Sequence, residues 1–269
     1  MLLFEPDRTP YDLRWRMFGI DVRVHPMFWL VTTILGWDWY RAGETGAEGV
    51  GFVALWVLCV FVSILVHELG HVVAGNIFGS RGHIVLFGFG GLAIGSSDLR
   101  SRWQRVVVYL AGPGAQFLLL GVIWLLVYRL ELLGGPREQV IRLVERDPAM
   151  FAVWMLWAIN LFWPILNLLP IWPLDGGQVS RELCEAAAPR NGRRYSLVLS
   201  MLTAGVLAAH ILMSQRGPGL IPWLNDYFRT GPLTAFFFIL FAVQSYQALQ
   251  EESHRRRNWD DDNLPWERR

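Results

Sequence analysis

Two histidines four residues apart, His67 and His71, with Glu68 between them, are the side chains in this sequence best placed to do chemistry. On a helix, positions i and i+4 share a face, so both imidazoles can reach one metal ion. Glu68 then stands one residue along, near the metal's open position, where a carboxylate can take a proton from a bound water. Zinc suits such ligands and lowers the pKa of its water to about 7, which supplies hydroxide near neutral pH. The HExxH spacing also arises by chance on soluble helices, so its surroundings decide its weight. Here no residue between Glu48 and His67 carries a charge, and the apolar stretch continues through Val72-Val73-Ala74-Gly75-Asn76-Ile77-Phe78. An ionised side chain at the centre of a bilayer costs at least about 2.5 kcal/mol, and such residues are rare without a task.

Two histidines leave a zinc site incomplete, since catalytic sites take three protein ligands and one water. Asp175 is the candidate for the third, because it ends the longest charge-free run in the chain, which starts after Asp147. Around it stands Asn167-Leu168-Leu169-Pro170-Ile171-Trp172-Pro173-Leu174-Asp175-Gly176-Gly177. The two prolines exclude a regular helix, and the glycine pair admits unusual dihedrals. Irregular backbone at membrane depth is tolerated only where it lines a cavity or is buried in protein. Taken alone, Asp175 reads as the N-cap of a helix starting near Gln178. Taken with the two histidines, it reads as a ligand.

The elements that must hold these residues are membrane helices. The chain is 53% hydrophobic and only 17% charged, against about 25% charged in a typical soluble domain. Its charges cluster at the ends and in short loops. A spanning helix needs about 20 apolar residues. Charge-free runs of that kind lie between Glu48 and His67, Arg105 and Arg129, Asp147 and Asp175, Arg194 and Arg216, and Arg229 and Glu251. A shorter run from Val24 to Tyr40 has the aromatic ends of an interfacial belt. The expectation is therefore an all-α multi-pass protein of about six transmembrane helices. With six crossings, 17 arginines fall on the side of the termini and seven, including Arg137, Arg142, Arg146 and Arg229, on the other. That bias places both termini in the cytoplasm.

The expected organisation is a cytoplasmic N-terminal segment over 1–23, a membrane core over 24–250, and a charged cytoplasmic tail over 251–269, read as disordered. The opening residues are too short and too acidic for a secretory signal. Cys59 and Cys184 form no CxxC pair, which argues against a disulfide framework. A net charge of +1 gives no reason to expect nucleic acid.

His67-Glu68-Leu69-Gly70-His71 together with Asn167 through Gly177 resembles the paired signatures of the site-2 proteases, which are intramembrane zinc metalloproteases. The resemblance runs from His25-Pro26 to the last helix. It implies zinc held by His67, His71 and Asp175, with Glu68 activating water and Asn167 helping to position substrate. It also implies a metal within the membrane, nearer the cytoplasm. Phe87-Gly88-Phe89-Gly90-Gly91-Leu92-Ala93 is similar to the family's glycine-rich segment beside the active site. As a re-entrant or β-hairpin segment near 82–95 it would offer Gly90 and Gly91 to a substrate strand. Gly112-Pro113-Gly114-Ala115-Gln116 resembles the family's Gly-Pro-x-x-Asn, with Gln116 where Asn is usual; Gln keeps the amide and adds a methylene. The gaps leave no room for a PDZ domain or a CBS pair, so the compact form of the family is expected.

The reading that follows is peptide-bond hydrolysis in or near transmembrane segments of membrane-protein substrates, in the cell membrane. The alternative is a non-proteolytic membrane protein retaining a structural zinc; intact Glu68 argues against it, because a structural site has no use for that base. An ion transporter built on His67, Glu68 and Asp175 is a third class, which the HExxH spacing does not favour.

Overall fold

The structure, a computed structural model, describes residues 5–43, 45–88, 90–129, 147–215, 217, 220 and 232–262. Among the loop arginines, Arg137, Arg142, Arg146, Arg216 and Arg229 lie outside the described residues, as do Phe89 and the tail beyond 262. The chain divides into two compact units, Met1–Asn167 and Leu168–Arg269.

In the first unit, β1 (Leu13–Met17) and β2 (Ile20–Val24) form a hairpin. Its two turn residues, Phe18 (φ 52°) and Gly19 (φ 81°), both have positive φ, the geometry that matches the right-handed twist of the flanking strands. A short helix α1 (Pro26–Leu35) and a 3-10 turn (Trp37–Ala42) lead to α2 (Gly46–Ile77). Then β3 (His83–Phe87) and β4 (Gly90–Ile94) form a second hairpin. The sheet order is β1-β2-β3-β4, with β2 and β3 parallel. A parallel pair needs a long crossover, and α1 and α2 supply it. Val22, Val24, Ile84 and Leu86 from the sheet share one core with Phe28, Val60, Ile64 and Val72. Helices α3 (Arg102–Arg129) and α4 (Pro148–Asn167) complete the unit.

Helix α2 starts with a side-chain N-cap: the Thr45 hydroxyl accepts from the Glu48 amide at 3.2 Å. Its 32 residues run for about 48 Å, more than the roughly 30 Å of a hydrocarbon core. The HExxH sequence therefore lies inside a continuous helix, well before its end.

The second unit holds the turn at 168–174, then α5 (Asp175–Ala187), α6 (Gly192–Ser214) and α7 (Pro232–Asp262). Helix α5 begins at Asp175 itself rather than near Gln178, and Leu174 occupies the N-cap. Asp175 is thus a first-turn residue and not the cap.

Two expectations change. An all-α fold becomes a mostly helical one with a four-stranded sheet, two of whose strands come from 13–24. The cue was present: Ile20, Val22 and Val24 alternate with Asp21 and Arg23, at the strand period of two. Among the described residues four helices are long and apolar enough to cross a membrane: Gly46–Ile77, Arg102–Val127, Pro148–Asn167 and Gly192–Ser214. The run from Val24 to Tyr40 instead folds as the ten-residue α1 and the 3-10 turn; α1 is about 15 Å long, short of the hydrocarbon thickness.

Candidate metal centre

Helix geometry places His67 and His71 one turn apart, and both are buried, as is Glu68. Each imidazole is oriented through its Nδ1. His67 Nδ1 lies 2.9 Å from Oε1 of Gln116, and His71 Nδ1 lies 2.7 Å from the carbonyl oxygen of Val108. A carbonyl only accepts, so His71 carries its proton on Nδ1. The Gln116 amide nitrogen donates to the Ser63 carbonyl at 3.3 Å, which turns its oxygen toward His67 and assigns that ring the same tautomer. Both Nε2 atoms are then unprotonated, and they face each other at 3.1 Å. Two such lone pairs repel unless a cation lies between them. A donated Nδ1–H and an unprotonated Nε2 are also what metal-bound histidines show, with the outer acceptor fixing the ring. The donor set therefore fits a zinc ion. Asp175, the third candidate ligand, stands in the second unit as the first residue of α5.

The support reaches further than the first contacts. Asn160 on α4 donates to the Ser63 hydroxyl at 2.9 Å, and Ser63 lies one turn before His67 on α2. Asn160, Ser63 and Gln116 are all fully buried and together tie α4, α2 and α3. Glycines bring the helices close enough for these bonds. A Cβ on Gly70 would meet the Ala111 carbonyl and, at 2.9 Å, the Ala115 methyl. One on Gly112 would overlap the His71 ring. Small residues at a membrane helix interface permit this approach of backbones.

On the sheet side, a Cβ on Gly91 would come within 2.6 Å of Cδ and Oε1 of Glu68. Strand β4 is thus laid against the carboxylate, and it is an edge of the four-stranded sheet. Gly90 has open space where a side chain would be. Asn167, the last residue of α4, donates from Nδ2 to the Trp163 carbonyl of its own helix at 3.1 Å.

In the second unit, glycines set the start of α5. A Cβ on Gly176 would strike the carbonyls of Leu168 and Leu169, and one on Gly177 the Ile171 carbonyl and the Trp172 amide nitrogen. The first turn of the helix is pressed onto the turn that precedes it, and only residues without a side chain fit there. Asp175 is half-buried at that junction.

Of the four remaining histidines, His25 caps α1 through Nδ1, and His83 on β3 lies 3.6 Å from Glu5. Of the supporting residues, Gln116 had a sequence cue, since it sits four residues after Gly112 and shares its face. Ser63 and Asn160 had none.

The sequence description of Peptidase family M50 matches residues 55–209. The chain is 30% identical over 173 residues to sll0528 of Synechocystis sp., a protein assigned as a zinc metalloprotease; the match covers 62% of this chain and 42% of that protein. It is 27% identical over 196 residues to stage IV sporulation protein FB of Bacillus subtilis, covering 70% of this chain and 58% of the relative. It is 25% identical over 214 residues to zinc metalloprotease MJ0392 of Methanocaldococcus jannaschii, covering 76% and 56%. The chain spans about half the length of these curated relatives.

Proposed function

This chain belongs to peptidase family M50, and from that membership we propose that it is an intramembrane zinc metalloprotease that hydrolyses peptide bonds in or near the transmembrane segments of other membrane proteins. The observation that carries the reading is the pair of Nε2 atoms 3.1 Å apart, each on a ring whose Nδ1 is already engaged. His67 and His71 are the two imidazole ligands, and Asp175 is the carboxylate that completes the set.

When bound, zinc acidifies its water and polarises the scissile carbonyl. Glu68 is the general base: its carboxylate accepts the proton of the attacking water and passes it to the leaving nitrogen. Burial of Glu68 against β4 keeps bulk solvent from competing for that proton. Strand β4 offers the substrate an edge. A transmembrane segment must unwind before a peptide bond can be attacked, and an unwound stretch leaves its amides and carbonyls bare. Adding it as a fifth strand to β4 satisfies them. Gly90 and Gly91 allow that strand to run close over Glu68, and Asn167 helps to position it.

A multi-pass protein of the cell membrane completes the proposal, and the four long apolar helices support it. Glu68→Gln is the decisive variant. It is expected to retain zinc and lose about 10²–10⁴-fold in cleavage rate. Membrane proteins that accumulate in cells carrying it, relative to wild type, are the substrates. Undiminished cleavage by that variant would remove Glu68 from the mechanism. Chelation is expected to abolish cleavage by the wild-type protein, and added zinc to restore it.

A further inference from the structure

We propose that Ser200 on α6 and Ser245 on α7 are positioning residues for Asp175, which makes the last helix part of the support of the metal centre. The inference rests on the reading of Asp175 as a ligand.

The two hydroxyls lie in a chain of hydrogen bonds whose direction is fully determined. The Trp172 amide N–H, three residues before Asp175, donates to the Ser200 hydroxyl at 2.7 Å. Ser200 and Ser245 lie 2.7 Å apart, oxygen to oxygen. Ser245 donates to the Phe241 carbonyl, four residues back on α7, at 2.8 Å. An amide N–H can only donate and a carbonyl can only accept. Each hydroxyl therefore accepts once and donates once, and every proton points from the turn toward α7. Both serines are fully buried.

What the chain holds is the turn that sets the start of α5. The turn's own bonds are short-range, from the Ile171 amide to the Leu169 carbonyl and from the Leu174 amide to the Ile171 carbonyl. Trp172 N is the point at which this turn is bonded to a neighbouring helix. It is also an atom that leaves no room for a Cβ on Gly177, the second residue after Asp175. Displacing Trp172 moves the first turn of α5, and Asp175 with it. A ligand must be held within about 0.5 Å of its productive place, so loss of the tether is read at the metal.

The test is zinc affinity of the full-length protein in detergent, by competition with a chelator, beside the unfolding temperature of the metal-free protein. Ser200→Ala is expected to weaken zinc binding about 10–100-fold, the range found when outer-shell partners of metal ligands are removed. Ser245→Ala weakens it less, because Ser200 can still accept from Trp172. The double variant matches Ser200→Ala alone, since Ser245 acts only through Ser200. Ser196→Ala removes another buried serine, one turn earlier on α6, and is expected to leave affinity unchanged. Wild-type affinity in Ser200→Ala overturns the proposal. So does an equal loss in Ser196→Ala, or additive losses in the double variant. Asp175→Asn separates this from the underlying reading. If it binds zinc as the wild type does, Asp175 is not a ligand and both fall; if it loses zinc while Ser200→Ala does not, only the tether falls.

Discussion

Gln116 orients the ring of His67. Its oxygen at 2.9 Å holds the proton on Nδ1, and its nitrogen anchors it to the Ser63 carbonyl. Gln116→Leu fills the same space with neither bond, so the His67 ring is free to turn and to move its proton to Nε2. Zinc affinity is expected to fall about 10–100-fold, measured by chelator competition. Gln116→Asn keeps the amide but is one methylene shorter, so it reaches His67 or the Ser63 carbonyl but not both, and an intermediate loss is expected. The histidines and Glu68 were legible because helical spacing alone places them. The partner of His67 was not, because a contact 49 residues away in the chain depends on how α3 registers against α2.

At the scale of elements, glycines decide which surfaces meet. Gly91 brings β4 onto Glu68, and Gly112 brings α3 onto His71. Two substitutions are expected to separate the roles. Gly91→Val pushes on the Glu68 carboxylate, so cleavage is lost while zinc affinity stays near wild type. Gly112→Val pushes on the His71 ring, so zinc affinity falls, and overpacking of the interface lowers stability by about 1–3 kcal/mol. Zinc titration and thermal unfolding of both variants check this; the reverse pattern would reassign β4 and α3. The glycine-rich segment near 82–95 was legible as a re-entrant or hairpin element through its resemblance to the family's segment, and it folds as the hairpin at 83–94. The sheet it joins was not, because β2 and β3 pair across a crossover of 58 residues, from His25 to Gly82.

For the molecule as a whole, a strap of N-terminal residues is tied to the sheet by charge. Arg23 on β2, itself buried, holds Glu5 at 2.8 Å, the Pro6 carbonyl at 3.0 Å and Asp12 at 3.1 Å. Burial of the Asp12 carboxyl raises its pKa, but hydrogen bonds from Thr9, Arg23 and Arg14 outweigh it and hold the group well below the usual carboxylate range. A lowered folded pKa gives stability that is fully present above the unfolded value of about 3.9 and is lost as pH falls through the folded one. Protection of the amides over 5–24, relative to their intrinsic exchange rates, is therefore expected to hold from pH 8 down to about pH 5 and to fall below about pH 4. Asp12→Asn removes that part of the acid dependence. An unchanged acid response in this variant would show that the strap is held by other groups.

The sequence by itself determined what local chemistry and periodicity can state: long uncharged runs that must be helices in a bilayer, an HExxH on one helical face, and a proline-glycine break around Asp175. These follow from rules acting over a few residues. Only the tertiary structure decided which Nδ1 acceptor orients each imidazole, which glycine admits β4 to Glu68, and which hydroxyls tether the turn before Asp175. Each of those is a contact between elements far apart in the chain. Such contacts depend on helix register and on interhelical distances of a few ångströms, which residue type alone does not encode.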